Sequence, residues 1–287
     1  MIFDGKKLSS FFENELRLKS EELRRKGILP KMVSILADNT PESSLYVSLK
    51  EKFAQRIGVG FAVHKFLEAE ENQTEKIIED VEKVGRDPLV HGIMIQLPAP
   101  DSGKIISAIA PEKDIDCLTA ENLGLVMEGR PRFLPATVKA VLEIIKRIDG
   151  LKSETEEKKF LAGKDICIVG ASIIVGKPLA IVLSDLGATV TLCRSTTRNL
   201  PEYTTRADIL ISATGSPELI GKEMVKDGAA VIDVGISKLL REGKFKIVGD
   251  VAKTAREAAS FLTPVPGGVG PVTVACLFDN LLGSIIA

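Results

Sequence analysis

Apolar residues recur along the chain in two alternating rhythms. Residues 8–26 place Leu8, Phe11, Phe12, Leu16 and Leu23 at the 3.6-residue spacing of an amphipathic helix, which Gly27 ends. Met32–Ala37 reads as a strand, 42–57 as a helix between Pro41 and Gly58, and Gly60–Phe66 as a strand. Thr74–Val84 then reads as a helix and Gly92–Leu97 as a strand. Strands that alternate with helices in this way predict βαβ units, hence a parallel sheet with helices on its faces.

The alternation breaks over 110–136, a loop-rich stretch whose apolar content argues for order, and resumes with a helix at Thr137–Ile148. Residues 150–163 read as a charged surface connection to a second domain. There Asp165–Val169, Thr189–Cys193, Asp208–Ala213 and Ala229–Val234 read as strands, with a short one possible at Lys244–Val248. Gly176–Leu186 reads as a helix, and a last helix starts near Val272. The expectation is two α/β domains with a cleft between them, the second a Rossmann-type dinucleotide-binding domain. Residues 1–138 form the first and 139–270 the second, with the terminal helix 271–287 packing back on the first.

Composition narrows the chemistry. Thirty-eight Lys and Arg against 39 Asp and Glu leave a net charge of −1, so the whole chain does not attract a polyanion, and nucleic-acid binding is not expected. No uninterrupted apolar run approaches a bilayer span, and the N-terminus turns polar at once, so neither a membrane segment nor a signal peptide is expected. Four scattered cysteines without a C-x-x-C pair argue against zinc or a disulfide framework and for the cytoplasm. The two histidines, His64 and His91, lie in or beside strand-like runs and read as structural. No metal site is expected, and no G-x-S-x-G elbow announces a serine hydrolase. Acid–base chemistry therefore falls to another residue type.

Five places carry candidate chemistry. Gly170-Ala171-Ser172, with Gly176 opening a helix, is a relative of the dinucleotide glycine turn: a tight turn, free backbone N–H groups and a positive helix end suit a pyrophosphate. An ordinary non-binding βαβ turn fits the same residues. The next strand ends in Cys193-Arg194-Ser195-Thr196, where NAD sites often place an acid; a basic, hydroxylated run suits a 2′-phosphate and hence NADP. Ser43, Tyr46 and Lys50 share a helix face, and a buried Lys50 can act as an acid–base group, although spacing alone favours a solvated lysine with Tyr46 packing at the edge. Gln96-Leu97-Pro98 closes an apolar strand with a polar side chain, and Thr263–Pro271 packs three prolines and three glycines into nine residues, as a ligand-approaching loop or a hinge.

Together these pieces resemble the bifunctional methylenetetrahydrofolate dehydrogenase/methenyltetrahydrofolate cyclohydrolase family from end to end. The shared motifs, in order, are Ser43-x-x-Tyr46-x-x-x-Lys50, Gln96-Leu97-Pro98, Pro111-x-Lys113-Asp114-Ile115-Asp116 and Gly170-Ala171-Ser172-x-x-Val175-Gly176-Lys177-Pro178. They continue with Val231–Ile236, Gly249-Asp250-Val251 and the Thr263–Pro271 loop. The resemblance implies NADP-dependent oxidation of 5,10-methylenetetrahydrofolate to the methenyl cation, followed by hydrolysis to 10-formyltetrahydrofolate. It implies that Lys50 is the central catalytic residue, tuned by Gln96, that Tyr46 stacks on the folate, with Ser43 beside it, and that Asp116 anchors the pterin. Gly170, Ala171, Ser172, Arg194, Ser195 and Ile236 would contact the dinucleotide, and Pro266 and Gly270 would line the cleft. It also implies a homodimer formed through the nucleotide domain.

Three positions depart from the family pattern. Cys117 stands where Gly is common, Pro135-Ala136-Thr137-Val138 replaces Pro-Cys-Thr-Pro, and Ala171 replaces an Arg of many relatives. The first two bear on loop geometry near the pterin; the third leaves the 2′-phosphate to Arg194, Ser195 and Arg198. A monofunctional or NAD-dependent dehydrogenase, and a non-catalytic NADP sensor, remain the alternatives.

Overall fold

A computed structural model describes residues 1–286 except 39, 68–71, 152, 242 and 243. Lys152 of the expected charged connection and Ala287 of the expected last helix thus lie outside the described residues. The elements are α1 (Gly5–Arg25), β1 (Lys31–Leu36), α2 (Pro41–Ile57), β2 (Gly60–Lys65), α3 (Gln73–Arg86), β3 (Gly92–Gln96), α4 (Ser102–Ser107) and α5 (Ala120–Met127). There follow α6 (Ala136–Ile148), α7 (Glu154–Leu161), β4 (Asp165–Val169), α8 (Gly176–Asp185), β5 (Thr189–Cys193), α9 (Leu200–Thr204), β6 (Ile209–Ser212) and β7 (Ala230–Asp233). The last four are β8 (Ser237–Arg241), β9 (Lys244–Val248), β10 (Phe261–Leu262) and α10 (Val269–Ile286). The chain divides into two compact units, one of residues 9–136 with 274–287, the other of residues 1–8 with 137–273.

The first unit holds a parallel sheet of order β2-β1-β3. The central strand is buried on both faces, which is why its sequence is a continuous apolar run and not an alternation. Met32 and Met94 lie in one cluster with Leu16 and Leu23 of α1, Phe53 and Ile57 of α2, and Phe278 and Leu281 of α10. The Phe53 and Phe278 rings stack at 5.4 Å. On the other face Val33, Ile35, Ile93 and Ile95 meet Ile77 and Val81 of α3 and Ile105 of α4. Each such side chain contributes about 1.5–3 kcal/mol of burial. By length and composition α10 could cross a membrane, but Ala275, Leu277, Phe278, Leu281 and Leu282 are consumed by this core.

The second unit holds five parallel strands in the order β5-β4-β6-β7-β10, and a separate antiparallel hairpin, β8-β9. Counted from its own first strand the order is 2-1-3-4-5, a doubly wound sheet whose switch point lies between β4 and β6. Residues 1–8, which the alternation assigned to the first domain, belong here instead: Ile2 pairs parallel with Leu262, and Phe3 N–H bonds the Leu262 carbonyl at 2.9 Å. Main-chain pairing at a sheet edge leaves no periodic side-chain signal, so the sequence could not reveal it. The connection 150–163, read as irregular, contains α7, whose first turn is capped by Ser153 accepting from Glu156 N–H. The strand β8, absent from the sequence reading, pairs with the expected β9.

Candidate active site

Helix α2 starts at a Thr40 cap followed by Pro41 and ends at Gly58 in the left-handed conformation. These boundaries set the face on which Ser43, Tyr46 and Lys50 lie. Lys50 reaches the sheet: its Nζ donates to Gln96 Oε1 at 3.0 Å and to Met94 Sδ at 3.0 Å. Residues 94 and 96 are two apart on β3, so both point to one face. The buried Gln96 amide is fixed by its Nε2, which donates to the Leu97 carbonyl at 3.0 Å and so turns Oε1 toward the lysine. The strand then leaves through a cis Leu97–Pro98 bond. Burial lowers the Lys50 pKa, and the nearby Asp116 charge raises it.

Asp116 comes from the irregular stretch after β3. Asp114 organises that stretch: its carboxylate accepts from Leu118 N–H (3.0 Å), Thr119 N–H (2.8 Å), Thr119 Oγ1 (2.7 Å) and Asn122 Nδ2 (2.9 Å). Asp116 retains some surface, but its carboxyl is desolvated and pushed up to about 6, mainly by burial and further by Asp114, against the pull of Lys50 and of a hydrogen bond from Ala136 N–H. Cys117 has φ +56°, the left-handed region that suits glycine, which accounts for the family's preference there. Its thiol is buried, with its pKa raised by burial and by the two aspartates. Tyr46 is half-buried, and burial, with Glu42, raises its pKa. Ser43 is not poised like the others: it is buried in the helix cap, donating to Asp38 Oδ2 at 2.5 Å.

In the second unit a cavity of about 640 Å³ opens at the ends of β4, β5 and β6. Gly170, Ala171, Ser172, Arg194 and Ser195 all line it, with Lys177, Thr197, Thr214 and Ser216. A Cβ at Gly170 would overlap the Ala213 carbonyl, and one at Gly176 the Gly170 carbonyl, so the turn and the first turn of α8 close up only as glycine. Among the described residues the walls hold two cations, Lys177 and Arg194, several hydroxyls and no carboxylate. That donor set fits a phosphorylated dinucleotide. Thr197 Oγ1 accepts from Arg194 N–H at 2.9 Å and fixes the loop that carries the arginine. Ile236 does not line this cavity; its side chain lies by Gly270, while Pro266 is exposed in the same Pro/Gly loop. The histidines are held locally, His64 Nδ1 to Asp80 at 2.6 Å and His91 Nδ1 accepting from Lys31 N–H at 3.3 Å. No cluster of three or more potential metal ligands occurs among the described residues.

The family model for the catalytic domain of tetrahydrofolate dehydrogenase/cyclohydrolase matches residues 3–116, and the model for its NAD(P)-binding domain matches 135–286. The chain belongs to the tetrahydrofolate dehydrogenase/cyclohydrolase family. It is 42% identical over 284 residues to the bifunctional protein FolD of Nautilia profundicola, covering 97% of this chain and 95% of that one. With FolD of Acetivibrio thermocellus it shares 43% over 97% of this chain and 94% of the relative. The crystal structure of the Campylobacter jejuni enzyme superposes with a TM-score of 0.90 at 37% identity, over 99% and 98% of the two chains. The Trypanosoma brucei enzyme, complexed with NADP cofactor and inhibitor, gives 0.91 at 34% identity, over 100% of this chain and 97% of that one. Within this family the second unit is a Rossmann-like NAD(P)-binding domain.

Sequence reasoning missed four contributors. Met94 was legible in principle, because it shares a strand face with Gln96. The lining role of Thr214 and Ser216 follows from the strand order, which no single segment encodes. Asn280, on α10, donates to the Ile115 and Leu134 carbonyls at 2.8 Å each, a contact across 146 residues or more of chain.

Proposed function

We propose that this chain catalyses two consecutive reactions of one-carbon folate metabolism. It oxidises 5,10-methylenetetrahydrofolate to the methenyl cation with NADP, and hydrolyses the cation to 10-formyltetrahydrofolate. The observation that carries this reading is the partly buried, desolvated Lys50, paired with Gln96 beside Asp116, in a chain that matches both family domains. NADP, when bound, accepts the hydride. Gly170, Ala171 and Ser172 would hold its pyrophosphate, and Arg194 and Ser195 its 2′-phosphate.

The residues of the first unit do the rest. Asp116 accepts hydrogen bonds from the pterin amino groups, and Tyr46 stacks on the folate. Ser43 acts through the α2 cap. The oxidation needs little acid–base help, because the folate nitrogen stabilises the cation. Water attack on that cation does need a proton acceptor. A neutral Lys50 spends its two hydrogens on Gln96 Oε1 and Met94 Sδ, which leaves its lone pair to take the water's proton. A cationic substrate lowers the lysine's proton affinity further.

An assay with methylenetetrahydrofolate tests this reading. Reduction with NADP and formation of 10-formyltetrahydrofolate are expected; reduction without hydrolysis would leave a monofunctional dehydrogenase, a preference for NAD would remove the 2′-phosphate argument, and no reduction would favour the NADP sensor.

The protein acts in the cytoplasm as a homodimer, with tetrahydrofolate derivatives as its other partners. The exposed Leu240, Phe245 and Ile247 on one face of the β8-β9 hairpin support self-association. Phe245→Glu is expected to halve the mass seen by light scattering; an unchanged mass would exclude this face.

A further inference from the structure

We propose that Asn280 is a positioning residue for Asp116, acting from α10; the proposal rests on the reading of Asp116 as the pterin anchor. The Asn280 side chain is 4% exposed. Around it on the same helix Leu277, Phe278, Leu281 and Leu282 are buried and apolar, so packing alone would be served by another leucine. An amide buried there costs free energy unless it is satisfied. Both of its hydrogens are spent on backbone carbonyls, Ile115 O and Leu134 O, at 2.8 Å each.

Those two carbonyls bracket the anchor. Ile115 immediately precedes Asp116. Leu134 lies two residues before Ala136, whose backbone N–H faces the Asp116 carboxyl and lowers its pKa. One side chain therefore ties together the segment that carries Asp116 and the segment that leads to Ala136. The far side of the first segment is already fixed by the four donors on Asp114. Asp116 is followed by Cys117 in a left-handed conformation that a non-glycine residue adopts at a cost, so the loop needs such a tie to hold its shape. Removing Asn280 takes a donor from each of these two carbonyls and frees Asp116 to shift relative to Lys50.

The test compares full-length Asn280→Leu, Asn280→Ser and Asn280→Gln with the parent and with Asp116→Asn. Asn280→Leu is expected to raise the KM for methylenetetrahydrofolate between about 10- and 100-fold, with kcat changed far less and the Kd of NADP within twofold. The acid limb of the KM pH profile should also move, which a loss of stability alone would not cause. Asn280→Gln, which keeps the amide, should recover most of the loss. Should the leucine variant fail to fold, Asn280→Ser, which keeps a single donor, should still raise KM. A folded Asn280→Leu or Asn280→Ser variant with parental KM and pH profile would overturn the proposal. Parental KM in Asp116→Asn would overturn the reading of the anchor itself, a distinct outcome.

Discussion

The two units solve opposite problems with opposite means. The first presents chemistry through side chains gathered from distant elements: Lys50 from α2, Gln96 from β3 and Asp116 from an irregular loop, all with restricted access to water. The second presents a cradle made largely of backbone, where two glycines admit close approach and exposed Lys177 and Arg194 supply charge. Burial shifts the proton affinities of Lys50 and Asp116, so that unit's work is tied to protonation. The cradle's work is tied to shape and to charge in water. A substitution that disables one should leave the other nearly untouched, and that separation can be attacked directly.

The largest effect is expected from Lys50→Met. Hydrolysis of methenyltetrahydrofolate, followed by the decay of its absorbance, should fall by about 10²–10⁴-fold, the usual worth of a positioned acid–base group. NADP affinity should stay within twofold; a joint loss would break the comparison. Gly176→Ala comes next. Its Cβ would collide with the Gly170 carbonyl, so the NADP Kd by calorimetry should rise by about 30-fold or more, a cost of about 2 kcal/mol, while folate binding persists. Unchanged NADP binding would mean that the turn is not the phosphate cradle.

Arg194→Ala should weaken NADP by about tenfold and NAD hardly at all, since a charge-assisted contact to the 2′-phosphate is lost only with the phosphorylated cofactor. Equal losses for both cofactors would move Arg194 to the pyrophosphate.

The pH response sharpens the contrast. Asp116, raised to about 6, is ionised above that value and neutral below it. If its carboxylate accepts from the pterin, folate affinity should be full near pH 7 and fall by about tenfold toward pH 5, while NADP affinity should not follow this curve. Asp116→Asn should bind more weakly and flatten the profile; a profile that keeps its acid limb would assign the titration to another group. The smallest effect is expected from Cys117→Gly. Relief of the left-handed backbone and loss of a buried side chain oppose each other, so denaturant unfolding should shift by no more than about 1 kcal/mol.

Most of the fold was legible because its signals are local. The strands β4 and β5 follow from short apolar runs, and α2 from Pro41 and Gly58 at its ends. What escaped was written in pairings. Residues 1–3 join the second unit by main-chain bonds to β10, and β8 is a strand only because β9 lies beside it. The site divides in the same way. Lys50 and Gln96 could be picked from a helix face and a strand end, but their 3.0 Å contact required the sheet register. Ser43 shares that helix face, but its hydroxyl is engaged in the cap, donating to Asp38 and accepting from Thr40. Asn280 had no signal at all: an asparagine in an apolar helix shows its purpose only when its two carbonyl partners are found.

On the proposed reading, one partly buried lysine separates hydrolysis from oxidation. This is tested most directly by following NADPH and methenyltetrahydrofolate together during turnover of methylenetetrahydrofolate, in the parent and in Lys50→Met. NADPH with little methenyl accumulation is expected in the parent, and methenyl accumulating nearly in step with NADPH in the variant. Methenyl that disappears equally fast in both would contradict that reading.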